Sequence, residues 1–335
     1  TGELIWHYQM VHHDVWDYDT PAQPTLFELE RGGQRIPALA QATKMGHLFI
    51  LNRETGEPLY PVEERQVPLV GAIEGERYSP TQPMPANPAF VLHRDLGRDD
   101  IWGFTPWDKA KCLELFDNAN WAGVFTPPSL RGSVMYPPFM GITNWGGVSI
   151  DPVSNVLVTN TTHVPAILRM YTREDAEKMT KAGKPVLPAE GAPYAHSMAP
   201  MLSPFGAPCI KPPWGTLLAI DLERGERLWE VPIGSTRDMA PFPLWFDLGV
   251  PTMGGSVLTA SGLVFIGATS DDFIRAFDRR SGELLWESRL PAGGQATPMT
   301  YRLAKDGRQY VVIAAGGHKY LGTTVGDALV AYALP

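Results

Sequence analysis

Asp278-Arg279-Arg280-Ser281-Gly282-Glu283-Leu284-Leu285-Trp286 has the same layout as Asp221-Leu222-Glu223-Arg224-Gly225-Glu226-Arg227-Leu228-Trp229, with an aspartate eight residues before a tryptophan and Gly-Glu between them. Asn52-Arg53-Glu54-Thr55-Gly56-Glu57-Pro58-Leu59-Tyr60 keeps the pattern with Asn and Tyr at its ends, and Thr1-Gly2-Glu3-Leu4-Ile5-Trp6 matches its second half. The aromatic positions 6 and 60 stand 54 residues apart and 229 and 286 stand 57 apart, a period that belongs to propeller or solenoid arrays. The 169 residues between positions 60 and 229 have room for about three such units. The chemistry around one unit selects the propeller. Leu263-Val264-Phe265-Ile266 and Phe273-Ile274-Arg275-Ala276-Phe277 flank the polar turn Ala268-Thr269-Ser270-Asp271-Asp272, and the Gly-Glu segment is the next turn, leading into a strand that carries Trp286. That is the strand meander of one propeller blade. Aromatic residues at a fixed place in each repeat are expected to dock neighbouring blades, a role in the core and not in catalysis.

Composition agrees with an all-β chain. The 33 glycines and 32 prolines call for many turns between short elements, and 44% hydrophobic residues suffice for a large core. A net charge of -8 without any Lys/Arg cluster excludes a nucleic-acid surface, which needs a concentrated basic face. A small neutral or polar substrate fits better. Cys112 and Cys209 have no metal or redox spacing, and one disulfide between them is left open. No run of eighteen apolar residues and no secretory signal pattern occurs. Because it opens inside a repeat, the chain is read as a fragment. Between Pro61 and Pro213 the repeat gives way to Pro-rich stretches, expected as insertions on one face of the propeller, where sites form. In that region Arg173-Glu174-Asp175-Ala176-Glu177-Lys178-Met179-Thr180-Lys181 is the one expected helix, short and exposed.

The densest polar stretch is Val11-His12-His13-Asp14-Val15-Trp16-Asp17-Tyr18-Asp19. Successive strand residues face opposite ways, so His12 and His13 cannot both ligate one ion from a regular strand, which argues against zinc. A carboxylate beside a tryptophan is a candidate base, since partial burial raises its pKa and a nearby divalent cation holds it ionised. The bland alternative is that His12, Asp14 and Asp19 hydrogen-bond turn amides. For Lys44 alone, the corresponding alternative is a solvated surface lysine.

The string His12-His13-Asp14-Val15-Trp16-Asp17-Tyr18-Asp19, followed by Pro21-Ala22-Gln23-Pro24-Thr25, resembles the hallmark segment of membrane-bound quinoprotein glucose and quinate/shikimate dehydrogenases. The resemblance continues through Thr43-Lys44-x-Gly46, Phe125-Thr126-Pro127-Pro128-Ser129, Trp145-Gly146-Gly147-Val148-Ser149-Ile150-Asp151-Pro152 and Leu202-Ser203-Pro204-Phe205-Gly206. It closes with Leu290-Pro291-Ala292-Gly293-Gly294-Gln295 and Ala314-Ala315-Gly316-Gly317-His318, so it spans essentially the whole chain in order. It implies the eight-bladed quinoprotein propeller, present as an incomplete ring of about four to five blades. Residues 1–335 would then be the C-terminal part of one propeller domain, with the N-terminal blades and membrane anchor outside the chain.

The same resemblance implies oxidation of a polyol or cyclic alcohol (quinate, shikimate or an aldose) by pyrroloquinoline quinone with a calcium or magnesium ion. Electrons would pass to ubiquinone at the periplasmic face of the bacterial inner membrane. Asp17 would be the catalytic base and a metal ligand, and Lys44 the cation at the quinone oxygens, where positive charge stabilises the charge that arrives with a hydride. Asn144 would donate a hydrogen bond to the cofactor, Trp145 would line its site and His318 would approach the central cavity. The segment from Ile73 to Trp121 is the expected substrate rim. Two rival readings stand beside this one: a non-catalytic periplasmic propeller scaffold, which needs neither Asp17 nor Lys44, and a metal-dependent hydrolase built on His12, His13 and Asp17.

Overall fold

The structure is a computed structural model that describes residues 1–305 and 307–334. Each repeat unit begins as a local turn. The side chain of Asn52 accepts the amides of Glu54 and Thr55, Asp221 those of Glu223 and Arg224, and Asp278 those of Arg280 and Ser281. These turns end on Gly56, Gly225 and Gly282, whose φ of 77°, 68° and 72° is a conformation that glycine takes without strain. The glycine meets a second demand. A Cβ on Gly56 would lie 2.5 Å from the Trp6 ring, and one on Gly282 would lie 2.7 Å from the Trp229 ring. Trp6 Nε1 donates to Arg53 O at 3.1 Å and Trp229 Nε1 to Arg279 O at 2.8 Å, while the Tyr60 hydroxyl donates to Leu222 O. The aromatic end of each unit therefore docks on the turn of the next, as expected from the repeat.

Four antiparallel sheets follow one another in this way. The first is Thr25–Arg31, Gln34–Ala42 and Leu48–Asn52; the second is Ser149–Asp151, Val156–Thr162, Gly215–Asp221 and Glu226–Pro232. The third is Ser256–Leu258, Leu263–Ile266, Phe273–Asp278 and Leu284–Arg289, and the fourth is Met299–Arg302, Gln309–Ala315 and Ala328–Ala333. Apolar clusters fill the spaces between successive sheets: Leu29, Leu157 and Ile220 between the first and second, Val158, Leu217 and Ile266 between the second and third, Ile274 and Ile313 between the third and fourth. The third sheet is also tied to the second through the buried Asp271–Arg275 ion pair at 2.6 Å, whose carboxylate accepts the Ser235 amide.

The expectation of three units between positions 60 and 229 is corrected. Tyr60 docks directly on the 221–229 unit, so the 169-residue span holds one blade, and the remainder is inserted. A two-stranded hairpin (Val62–Gln66 with Thr81–Pro85) precedes it, and the connection between the second and third strands of the second sheet runs out into a separate sheet. That sheet is Leu187–Pro188, Tyr194–Pro200, Ala166–Thr172 and Ser133–Met135.

Helix α1 (Pro106–Asp117) corrects a second expectation, that Arg173–Lys181 (α2) would be the one helix. Its signal was present: Thr105 caps the Asp108 amide and Pro106 opens the first turn. Cys112 on α1 is joined to Cys209, both fully buried, which decides the open question of their pairing. The bridge spans 97 residues, so replacing both cysteines by serine is expected to lower unfolding stability by about 3 kcal/mol in urea titration. No helix among the described residues is long and apolar enough to cross a membrane.

Candidate active site

Asp17 is presented by two anchored rings. Trp16 and Tyr18 on either side of it are buried, stack on each other and pack edge-on against Phe125. Trp16 Nε1 donates to Thr126 O at 2.8 Å, and the Tyr18 hydroxyl donates to Pro137 O at 2.8 Å. Asp14 bends the chain between them by accepting the amides of Trp16 (2.9 Å) and Tyr18 (2.8 Å), the turn-amide role foreseen for it. Burial raises the Asp14 pKa, outweighing those two amides, and the neighbouring Asp17 and Asp19 charges add to the rise. Between the anchors Asp17 takes φ +66°, a left-handed conformation that costs a non-glycine residue on the order of 1–2 kcal/mol, and its side chain stays 59% exposed. The fold thus holds an exposed carboxylate in a strained conformation.

Lys44 meets it from the first sheet. The turn after strand Gln34–Ala42 is closed by Thr43, whose hydroxyl donates to His47 O at 2.8 Å. One backbone and one side-chain hydrogen bond join this turn to the next sheet's inner loop: Ile142 N donates to Lys44 O at 2.8 Å and the Thr143 hydroxyl to Thr43 O at 2.9 Å. Gly141 leaves room for the lysine stem, since a Cβ there would lie 2.8 Å from Lys44 Cγ. The Lys44 side chain is only 12% exposed, and Nζ lies 2.9 Å from Asp17 Oδ2 and 2.5 Å from Asp19 Oδ1. It is therefore not a solvated surface lysine, and Asp19 pairs with it instead of capping turn amides. Burial pulls the ammonium's pKa down, but hydrogen bonds to Asp19 and Asp17 prevail and raise it, so Lys44 keeps its charge.

The loop that begins beside Lys44 carries Asn144 and Trp145. Asn144 Nδ2 donates to Met140 O at 2.6 Å and its Oδ1 accepts the Trp145 amide at 2.8 Å, so this side chain shapes its own loop. Gly146 crosses the third sheet's glycines so closely that a Cβ would lie 1.8 Å from Gly254 O. That crossing fixes Trp145, whose indole is 61% exposed and lies 5.9 Å from the His318 ring of the fourth sheet. His318 Nδ1 is buried without a hydrogen-bond partner.

Asp14, Trp16 and Asp17 line a cavity of about 530 Å³, closed on other sides by Glu74, Glu76 and Tyr78 and, from the inserted sheet, by Tyr194 and His196. Of the expected substrate rim, residues 73–78 border this cavity, whereas α1 does not line it. His196 carried no sequence signal, because only the folding of the insertion brings it there. His12 and His13 turn to different carboxylates, Glu64 at 2.8 Å and Glu76 at 3.6 Å.

A buried-stem cation, a flat exposed indole and an unpartnered imidazole nitrogen suit a planar, anionic, carbonyl-bearing cofactor. A divalent cation is served differently. Among the described residues no group of three or more His, Cys, Asp or Glu side chains is placed to hold one, so a complete metal site is not formed by them.

The pattern that defines the PQQ glucose/ethanol/alcohol dehydrogenase β-propeller domain matches residues 1–311. The chain is 43% identical over 349 residues to the quinoprotein glucose dehydrogenase of Escherichia coli (strain K12), covering 100% of this chain and 43% of that protein. It is 41% identical to the glycerol dehydrogenase large subunit of Gluconobacter thailandicus, covering all of this chain and 48% of that one. It is 37% identical to the quinate/shikimate dehydrogenase (quinone) of Acinetobacter baylyi (strain ATCC 33305 / BD413 / ADP1), covering all of this chain and 43% of that one. The chain spans about half the length of these curated relatives. Among solved structures, the quinohemoprotein alcohol dehydrogenase from Comamonas testosteroni superposes with a TM-score of 0.56 at 22% identity, covering 97% of this chain and 40% of that one, a likeness of fold.

Proposed function

The chain belongs to the family of PQQ glucose/ethanol/alcohol dehydrogenase β-propeller domains, and on that premise we propose that it forms part of an enzyme that oxidises a polyol or cyclic alcohol with pyrroloquinoline quinone. The observation that carries the proposal is the Asp17–Lys44–Asp19 cluster beside the Asn144–Trp145 loop: a paired carboxylate and cation at the mouth of a cavity large enough for a sugar-sized substrate. When bound, pyrroloquinoline quinone supplies the two-electron acceptor for the hydride of the substrate's carbinol carbon. Asp17 takes the substrate's hydroxyl proton on its carboxylate, so that the carbinol becomes a carbonyl. Lys44 holds the Asp17 carboxylate in place through their 2.9 Å contact, and its ammonium, kept protonated, offers the positive charge that stabilises negative charge developing beside it. Trp145 presents a flat face for the cofactor ring, and His318 offers an unpartnered ring nitrogen on the same side. No step is assigned to calcium or magnesium; Asp17 is the one carboxylate this reading lends to such an ion.

The quinate, shikimate, glucose and glycerol in the relatives' names support a polyol or cyclic alcohol as the substrate class. Ubiquinone is the proposed acceptor and the periplasmic face of the bacterial inner membrane the proposed location; a buried disulfide suits an oxidising compartment. The remaining propeller blades and a membrane anchor are, in this proposal, contributed by polypeptide beyond residues 1–335. The test is dye-linked oxidation by the full-length protein with pyrroloquinoline quinone and calcium across quinate, shikimate, glucose and glycerol. Cofactor-dependent turnover on at least one of them is expected; none on any would overturn the proposal.

A further inference from the structure

The turn at residues 73–76 holds two glutamates at the edge of the Asp17 cavity. Ile73 is buried, its amide donates to the Tyr78 hydroxyl at 3.2 Å and its carbonyl accepts the Glu76 amide at 3.2 Å. Gly75 takes φ +84° between Glu74 and Glu76, a conformation open to glycine. Both glutamates are exposed, and they line the cavity together with Asp14 and Asp17. Against these four carboxyl groups the lining sets one imidazole, His196, and no lysine or arginine. Charge outside the lining does not cancel theirs. Lys44 is shared between Asp17 and Asp19, so that cluster keeps an excess of negative charge. Glu74 forms no ion pair among the described residues, and Glu76 meets the imidazole of His13 at 3.6 Å. Arg77 follows Glu76 in the chain but does not line the cavity. Leu168, Met170 and Met198, from the inserted sheet, add an apolar wall.

This lining gives the site a preference: we propose that Glu74 and Glu76 are specificity-determining residues, which admit a neutral polyhydroxy substrate and reject one that carries a carboxylate. The inference rests on the oxidation reading of the same site and narrows its substrate class. An ionised carboxylate only accepts hydrogen bonds, whereas a hydroxyl also donates them. A neutral polyol gives hydroxyl hydrogens to Glu74 and Glu76 while its carbinol meets Asp17, and its C–H surface lies against the apolar wall. A carboxylate substrate brings acceptor against acceptor and like charge against like charge, in a cavity where salt screens them less than on an open surface. Repulsion of the wrong substrate then supplies the selectivity. Of the alcohols in the relatives' names, glucose and glycerol pass this filter; quinate and shikimate, as carboxylates, do not.

The test is dye-linked oxidation by the full-length protein with pyrroloquinoline quinone and calcium, using matched pairs: glucose against glucuronate, and quinate against its methyl ester. In every pair that turns over, kcat/KM is expected to be about tenfold or more higher for the neutral member. Glu74→Gln with Glu76→Gln should narrow that ratio at least about threefold, whereas Glu283→Gln, on an exposed turn of the third sheet, should leave it unchanged. Equal or better use of the carboxylate member would overturn the proposal and leave the oxidation reading standing, as would a neutral preference that the double variant does not narrow. No turnover on any pair would overturn the oxidation reading instead, and equilibrium dialysis of the same four compounds then decides the selectivity. Tighter binding of the neutral members, with a gap that the double variant narrows, would support it; equal binding, tighter binding of the carboxylates or no binding would overturn it.

Discussion

Asp17→Asn is expected to lower kcat/KM for the alcohol substrate by about 10²- to 10⁴-fold, the contribution of a positioned general base, while cofactor binding changes little. Asparagine has the shape of aspartate, accepts a hydrogen bond from Lys44 through its amide oxygen, and tolerates the left-handed backbone at this position better than most residues. What it lacks is the capacity to take a proton. The anchors at Trp16 and Tyr18 are untouched by the change, so the folded protein should survive it. Asp19→Asn is the informative companion. Asp19 also binds Lys44, but Asp17 rather than Asp19 lines the cavity, and a smaller loss is expected there. Equal losses from the two changes in steady-state assays would mean that the cluster acts only through Lys44.

Acid is expected to destabilise the fold strongly between pH 6.5 and 5, with about 4 kcal/mol of unfolding free energy lost by pH 5. Two buried histidines cause this. Burial, with the His93 and Arg65 charges, lowers the His47 pKa from 6.5 to about 3. Burial, with Arg94, His93 and Arg227, pushes His163 well below its usual value. His163 is held neutral by good partners, the Tyr136 hydroxyl at 2.8 Å and the Thr161 hydroxyl at 2.9 Å. In the unfolded chain both imidazoles take a proton near pH 6.5 and in the fold they do not. Their contribution is therefore complete above pH 6.5 and is lost as pH falls toward the folded values, at about 1.4 kcal/mol per pH unit for each. Asp14, whose pKa is raised in the fold, works in the opposite direction at still lower pH. Urea unfolding at pH 7.5 and 5.0 checks the slope, and equal stabilities would show that the two sites admit water or a counter-charge.

The blade unit was legible because one local pattern meets two demands. The Asx turn needs glycine at its left-handed end, and the previous blade's aromatic ring needs that glycine to have no side chain, so Gly56, Gly225 and Gly282 recur with Trp6, Tyr60 and Trp229. The 60–229 interval does not report its number of blades, because spacing along the chain measures insertions as well as blades, and an insertion between two strands of one sheet leaves that sheet's register intact. Helix α1 is not legible from periodicity, because its apolar residues, unlike those of an amphipathic helix, do not form a clear stripe; its buried side chains are Asp108, Cys112 and Phe116. Asp17 and Lys44 were legible by motif, and their direct contact follows from the Thr43–Thr143 crossing that no periodicity reveals. Asp19 looked like a turn residue because its cation is distant in sequence. His196 could not be placed at all without the inserted sheet.

The most direct measurement of the central claim is a titration of the protein with pyrroloquinoline quinone in the presence of calcium, followed by quenching of tryptophan fluorescence, for the wild type, Lys44→Met and Lys178→Met. Lys178 lies on exposed α2, paired with Glu174, and serves as the control for charge alone. Saturable one-to-one binding is expected, weakened at least tenfold by Lys44→Met and unchanged by Lys178→Met. Binding that Lys44→Met leaves as tight as in the wild type would contradict the account.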